Sequence, residues 1–209
     1  MKKLLLFIFL IPFVCHAQFS KGEKFIGGSI NASLSGTTFN PAPTTNTSNY
    51  FYVAPSVGYF TDEKTAWGLA LTYNNSYQKS QSGTSGSYNS SSGYTWGLNP
   101  FIKRYWSLSN SIYFALKGQV GFTRGNSKNV SFNAFTSITS TSETPMYQLD
   151  AFVSPSFIFF PTPQWGIETG LSSVGYTYTR NLPNVSSSGT FGLNAGSISL
   201  GLAYYFGKK

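Results

Sequence analysis

From Lys24 onward this chain is written with a period of two. Residues 25–35 place Ile26, Gly28, Ile30, Ala32 and Leu34 on one parity and Gly27, Ser29, Asn31, Ser33 and Ser35 on the other. Successive strand side chains point to opposite faces, so this alternation predicts strand rather than helix. The pattern returns over 50–60, 66–77, 93–105, 111–123, 147–160, 165–179 and 192–206, making eight predicted strands. Within the seventh the phase blurs at Val174-Gly175, which suggests a bulge. The connections 61–65, 106–110 and 161–164 are short. Those at 36–49, 78–92, 124–146 and 180–191 are long and rich in Ser, Thr, Asn and Gly.

Short turns at one end and long polar connections at the other predict an all-β, eight-stranded antiparallel up-and-down transmembrane β-barrel. Closure follows from the solvent. Hydrocarbon offers no partner to a backbone amide, so a sheet in lipid cannot keep an edge. The composition agrees. Only 10% of residues are charged, against about 25% in ordinary globular chains, yet a mean hydropathy of −0.10 is not that of membrane helices. The bulky residues share one parity, and Gly, Ser, Ala, Thr and Asn dominate the other. A lipocalin-like soluble barrel is the fold alternative, with its bulky parity turned inward around a ligand.

The N-terminus reads as an address. Lys2 and Lys3 precede an apolar run, Leu4 to Val14, and Ala17 offers a small residue before a cut. The expected organisation is a cleaved signal peptide at 1–17 and a barrel domain at 18–209. Lipidation of Cys15 is the minor alternative, since Pro12-Phe13-Val14 are not the small residues expected before such a site. The single Cys and the single His, Cys15 and His16, both fall in the leader. That leaves no Cys or His nucleophile–base pair, no disulfide and no zinc site of those residues in the mature chain. Glu143 beside Ser142 supplies no suitable base, and the carboxylates are scattered apart from Asp62-Glu63 in a turn. No enzyme, metal or cofactor is expected. The formal charge of +8 is spread along the chain without the basic cluster that a nucleic-acid partner needs.

Four charges occupy the inner parity within predicted strands: Lys103, Lys117, Asp150 and Glu168. They are expected to form a lumenal ion-pair network, because an unpaired charge in a narrow barrel is costly. Asn74, Asn99, Gln119 and Gln148 would add lumenal hydrogen bonds. Aromatic residues gather at the turn-proximal strand ends, as in a girdle at a lipid interface. The expected interfacial set is Tyr59, Trp67, Tyr105, Trp106, Phe159, Trp165, Tyr204 and Phe206, with Phe60, Phe160 and Tyr205 beside them.

Tyr52 to Phe60 (YVAPSVGYF), Asn99 to Trp106 (NPFIKRYW) and Leu200 to Phe206 (LGLAYYF), behind a leader, resemble the small outer-membrane β-barrel domain of Bacteroidetes-type bacteria. That domain is similar in architecture to the OmpA, OmpX and OmpW groups, and the resemblance covers nearly all of the mature chain. It implies an integral outer-membrane protein with periplasmic termini and external long loops. It also implies that the C-terminal strand Leu200 to Phe206 is read by the barrel-assembly machinery, although Gly207-Lys208-Lys209 follow the terminal aromatic. The leading function is structural or surface-interacting, through four polar loops over a lumen filled by side chains. The alternatives are a narrow pore or a path for small hydrophobic molecules, and a secretion-system barrel component. Expected partners are outer-membrane lipid and, near Arg124, Lys128 and Arg180, lipopolysaccharide phosphate. No residue identifies a loop partner.

Overall fold

The computed structural model describes residues 19–39, 44–182, 186–194 and 199–207. The leader 1–17 with Cys15 and His16, and the terminal Lys208-Lys209, lie outside the described residues. Ten strand segments follow one another: β1 (Lys24–Phe39), β2 (Thr44–Phe60), β3 (Thr65–Ser82), β4 (Tyr88–Ser107), β5 (Ile112–Asn133), β6 (Ile138–Phe159), β7 (Trp165–Gly170), β8 (Ser173–Asn181), β9 (Ser186–Asn194) and β10 (Ser199–Phe206). All pairings are antiparallel. Among the described residues, no helix is long and apolar enough to cross a membrane.

Eight of these segments close a ring. The order runs β1-β2-β3-β4-β5-β6-β7-β10 and returns to β1. The closing seam is the register Lys24↔Phe206 to Ser29↔Gly201. The other two segments continue the wall. After Gly170 the chain steps away for two residues, with the Leu171 amide donating to the Pro155 carbonyl at 3.0 Å. It then resumes on β6 as β8, and β9 pairs with β8. The interruption expected at Val174-Gly175 thus falls earlier, at Leu171-Ser172. Above Ser29, β1 and β9 share no pairing among the described residues.

The strands far outrun the alternation that predicted them. β5 and β6 pair continuously from Ile112↔Phe159 to Asn133↔Ile138, twenty-two residues each. A barrel strand needs only about 9–11 residues to cross a bilayer. Most of the supposed loops 36–49, 78–92, 124–146 and 180–191 is therefore sheet, projecting beyond the ring as a Ser/Thr/Asn-rich collar. Sequence pattern missed this because both faces of the collar meet water, so neither parity needs to be apolar. At the opposite end the turns are tight. In Thr61–Lys64, Asp62 Oδ1 accepts from the Lys64 amide at 2.7 Å, which holds the exposed Asp62 carboxyl below its usual range.

The faces sort as lipid and lumen require. Ile26, Val57, Leu71, Leu98, Val120, Leu149 and Leu202 are all exposed on the outside. That is the opposite of a soluble ligand-binding barrel, which would turn its bulky parity inward. On β5 and β6 a band without charge separates Phe114 and Phe157 from Arg124 and Tyr147, while on β4 the outward Arg104 sits at the lower margin of that band, over the Trp106 ring at 5.9 Å. Ten residues at about 3.3 Å each, tilted about 40°, rise about 25 Å, the height of an apolar barrel band.

The core sits inside the turn-bearing end. Phe19, Phe25, Phe60, Phe101, Tyr105, Tyr113, Ile158, Phe160 and Tyr205 are buried there together. Space for these rings comes from glycines on neighbouring strands. Gly68 lies opposite Phe101 and Gly58 opposite Phe25. A Cβ at Gly68 would enter the Phe101 ring and approach the Val57 carbonyl at 2.6 Å. Gly68→Val should accordingly destabilise the barrel by about 1–3 kcal/mol through overpacking. This is checked by the temperature at which the folded, faster-migrating electrophoretic form converts to the unfolded one. An unchanged conversion temperature would mean the ring is free to move.

Candidate functional site

The turn-bearing end of the lumen is closed by the N-terminal segment. Gly22, at φ +86°, lets the chain turn back sharply. Its amide donates to the Phe60 carbonyl at 2.8 Å, and the Phe60 amide donates to the Glu23 carbonyl at 2.8 Å. Ser20 and Glu23 close the same turn, with the Ser20 amide on Glu23 Oε2 at 3.0 Å. Phe19 is thereby placed inside the barrel mouth. It stacks on Phe60 at 4.3 Å between ring centroids and meets Tyr105, Tyr113, Phe160 and Tyr205 at 4.7–5.8 Å. These are favourable aromatic geometries, and together they form a plug across an eight-stranded bore.

This corrects the expected girdle. Tyr105 is 1% exposed and points inward, whereas its neighbour Trp106 is 39% exposed and points outward. Parity explains the difference: Tyr105 shares the inner face of β4 with Asn99, Phe101 and Lys103. Phe60, Phe160 and Tyr205 are inward as well. Tyr59, Trp67, Trp106, Phe159, Trp165 and Phe206 are exposed on the outer wall. Tyr204 is half-buried there, against Trp165 at 5.1 Å and Phe206 at 5.0 Å. An aromatic-rich strand end therefore serves two structures, one on each face. Phe19, ahead of the first strand, could not be recognised as a plug from periodicity.

Above the plug lies a lumenal cavity of about 350 Å³, with hydroxyl and amide groups on its walls. Lys103 Nζ and Glu168 Oε2 meet at 2.6 Å across the lumen, from β4 and β7, with the lysine side chain 7% exposed. Lys117 stands directly opposite Lys103 on β5. Among the described residues its side chain makes no ion pair or hydrogen bond. Asp150 Oδ1 accepts from Gln148 Nε2 at 2.9 Å. The Asp150 carboxylate and the Asn99 amide converge over Gly121, whose missing side chain leaves them room. Asn99 Nδ2 donates to Thr72 Oγ1 at 3.1 Å. Gln119 lines the cavity, and Asn74 is half-buried on β3 opposite Thr95. The structure thus brings Lys103 and Glu168 together, keeps Lys117 beside them without a bond to either, and holds Asp150 apart.

On the outer wall one row crosses five strands: Tyr73, Trp96, Arg124, Tyr147 and Arg180. The Arg124 guanidinium lies over the Tyr147 ring at 5.5 Å, which leaves a cation at the boundary between apolar wall and polar collar. Lys128 is higher on the collar and pairs with Glu143 at 3.1 Å, so Glu143 is in an ion pair across β5 and β6.

No family model matches the chain, and no curated protein matches it. Among solved structures it is similar to the crystal structure of Ail, the attachment invasion locus protein of Yersinia pestis. The identity is 16% over 89% of this chain and 99% of that one, with a TM-score of 0.42. The same protein in complex with the heparin analogue sucrose octasulfate gives 15% identity over 89% and 99%, with a TM-score of 0.39. The barrel assignment stands on the strand ring itself.

The Lys103–Glu168 pair should behave as a buried one. Glu168→Gln leaves two opposed lysines without a counter-charge, and breaking such a pair costs up to about 3–5 kcal/mol. Lys103→Met in the same chain should recover most of that loss. A double-mutant cycle on the unfolding midpoint measures the coupling, and additive single effects would show that the two groups act independently.

Proposed function

We propose that this chain is an integral outer-membrane β-barrel protein with a structural and surface-interacting role and no enzymatic activity. The single observation that carries the reading is a closed strand ring, apolar outside, whose bore is stopped by the Phe19 plug. A stopped bore does not serve as a channel. What remains available to partners is the collar, formed by the projecting halves of the long strands. In this reading residues 1–17 are the export signal and are removed. The plug and both termini then face the periplasm, and the collar faces outward, because an even number of strands returns the chain to its starting side.

The membrane partners follow from the outer wall. The row from Tyr73 to Arg180 places Arg124 and Arg180 on either side of Tyr147. Arginine presents a planar fork of donors that suits phosphate, and lipopolysaccharide phosphate is the fitting partner at that height. The C-terminal strand Leu200 to Phe206, which closes the ring on β1, is the segment offered to the barrel-assembly machinery. The narrower likeness to Bacteroidetes-type barrels rests on the sequence motifs alone. A path for small hydrophobic molecules is disfavoured by a lumen lined with hydroxyls and lysines.

Conductance in planar bilayers tests the reading. The folded protein should give no stepwise current. Phe19→Ala, which removes the centre of the plug at a cost of about 3–5 kcal/mol, should produce small flickering steps. Steady steps from the unaltered protein would replace the plugged barrel with a pore. A chain that fractionates without membranes, with mobility indifferent to boiling, would remove the barrel reading altogether.

A further inference from the structure

Lys103 and Lys117 face each other directly across β4 and β5. Like charges in that relation repel, and Glu168 is bonded to only one of them. Glu168 lies within electrostatic reach of both lysines, so the three groups together carry one excess positive charge. Of the other buried carboxylates, Asp150 is held higher up, with Gln148 and Asn99, and Glu23 is held below, in the turn at the plug. The plug closes the lumen below. The cavity that Lys117 lines, with Ser56, Thr72, Gln119 and Ser154 among its walls, has a volume of about 350 Å³. That is several times the space of one water molecule, roughly 30 Å³ in the liquid.

From this arrangement we infer that the lumen is a binding site for one small oxyanion, held by Lys117 and the surrounding hydroxyl and amide donors. The chemistry is shared by phosphate, sulfate and a carboxylate. Each presents oxygens that accept charge-assisted hydrogen bonds, and each supplies the negative charge that the lysine pair lacks. Lys103 and Glu168 form the fixed side of the site. Lys117 is the free arm, and Ser154, its cross-strand neighbour, stands beside it. The inference rests on the plugged-barrel reading, because a lumen open at both ends would exchange the ion with bulk solvent.

The test uses the full mature chain folded in zwitterionic detergent micelles, with folding verified by the mobility difference between boiled and unboiled samples. Inorganic phosphate is titrated calorimetrically at constant ionic strength, with sulfate and acetate as parallel arms and chloride as the balancing ion. Saturable binding of about one phosphate per barrel is expected, together with an unfolding midpoint that rises with phosphate concentration. Lys117→Met should weaken binding by about 10–100-fold, the loss of one hydrogen bond to a charged group. Lys128→Met on the collar should leave it unchanged. If Lys117→Met does not fold, Lys117→Arg and Ser154→Phe decide. Retained binding by the arginine variant with none by the filled cavity upholds the site, and equal binding by both overturns it. Absence of saturable binding by a properly folded wild-type barrel overturns the inference while leaving the barrel intact. A sample indifferent to boiling instead faults the barrel reading.

Discussion

A backbone amide in hydrocarbon has no water to bond, and that one constraint organises this molecule. Each turn-proximal strand segment must find a partner on both sides. The last requirement is met where β10 returns to β1, from Lys24↔Phe206 to Ser29↔Gly201. Six residue pairs convert a sheet with two edges into a ring with none at that level. Beyond Ser29 the closing seam has no pairing among the described residues. The wall beside that gap still carries the exposed Ile30, Phe191 and Leu193, and the strands reach the polar collar beyond it, where water can satisfy what a neighbour does not.

Closure with eight strands fixes the bore, and the bore fixes what can fill it. An eight-stranded barrel is only wide enough for side chains. At the turn-bearing end aromatic rings fill it around Phe19, and glycines such as Gly58 and Gly68 give up their side chains to admit the rings of Phe25 and Phe101. Higher up the filling changes to lysine, carboxylate, amide and hydroxyl groups, and a cavity of about 350 Å³ remains. The interior is therefore layered along the axis, from apolar stopper to charged chamber. Either layer alone would give a different protein, a solid peg or an open tube.

Much of this was legible from alternation. The eight wall positions, the lipid-facing parity and the inward placement of Lys103, Lys117, Asp150 and Glu168 all follow from counting by two. Tyr105 shows where the reading failed. Its type and its place near a turn suggested a girdle, but its parity with Lys103 put it in the plug. Parity outranks residue type because a one-residue step crosses the whole wall. The collar was missed for a different reason. Ser, Thr and Asn carry no facial preference when both sides of a strand are wet, so polar strand and polar loop look alike.

The sequence by itself determined that the chain alternates, that one parity is bulky, and that few charges exist to be placed. Those are local properties, and they suffice for a lipid-facing barrel wall. Only the tertiary structure decided which lumenal charges meet. Lys103 finds Glu168 from 65 positions away, while Lys117, directly across the strand pair, is left without a bonded partner. It alone also placed Phe19 in the mouth of the ring. Periodicity gives the direction in which a side chain points, but distance across a closed lumen depends on the register of every intervening strand. That register exists only once the ring has formed.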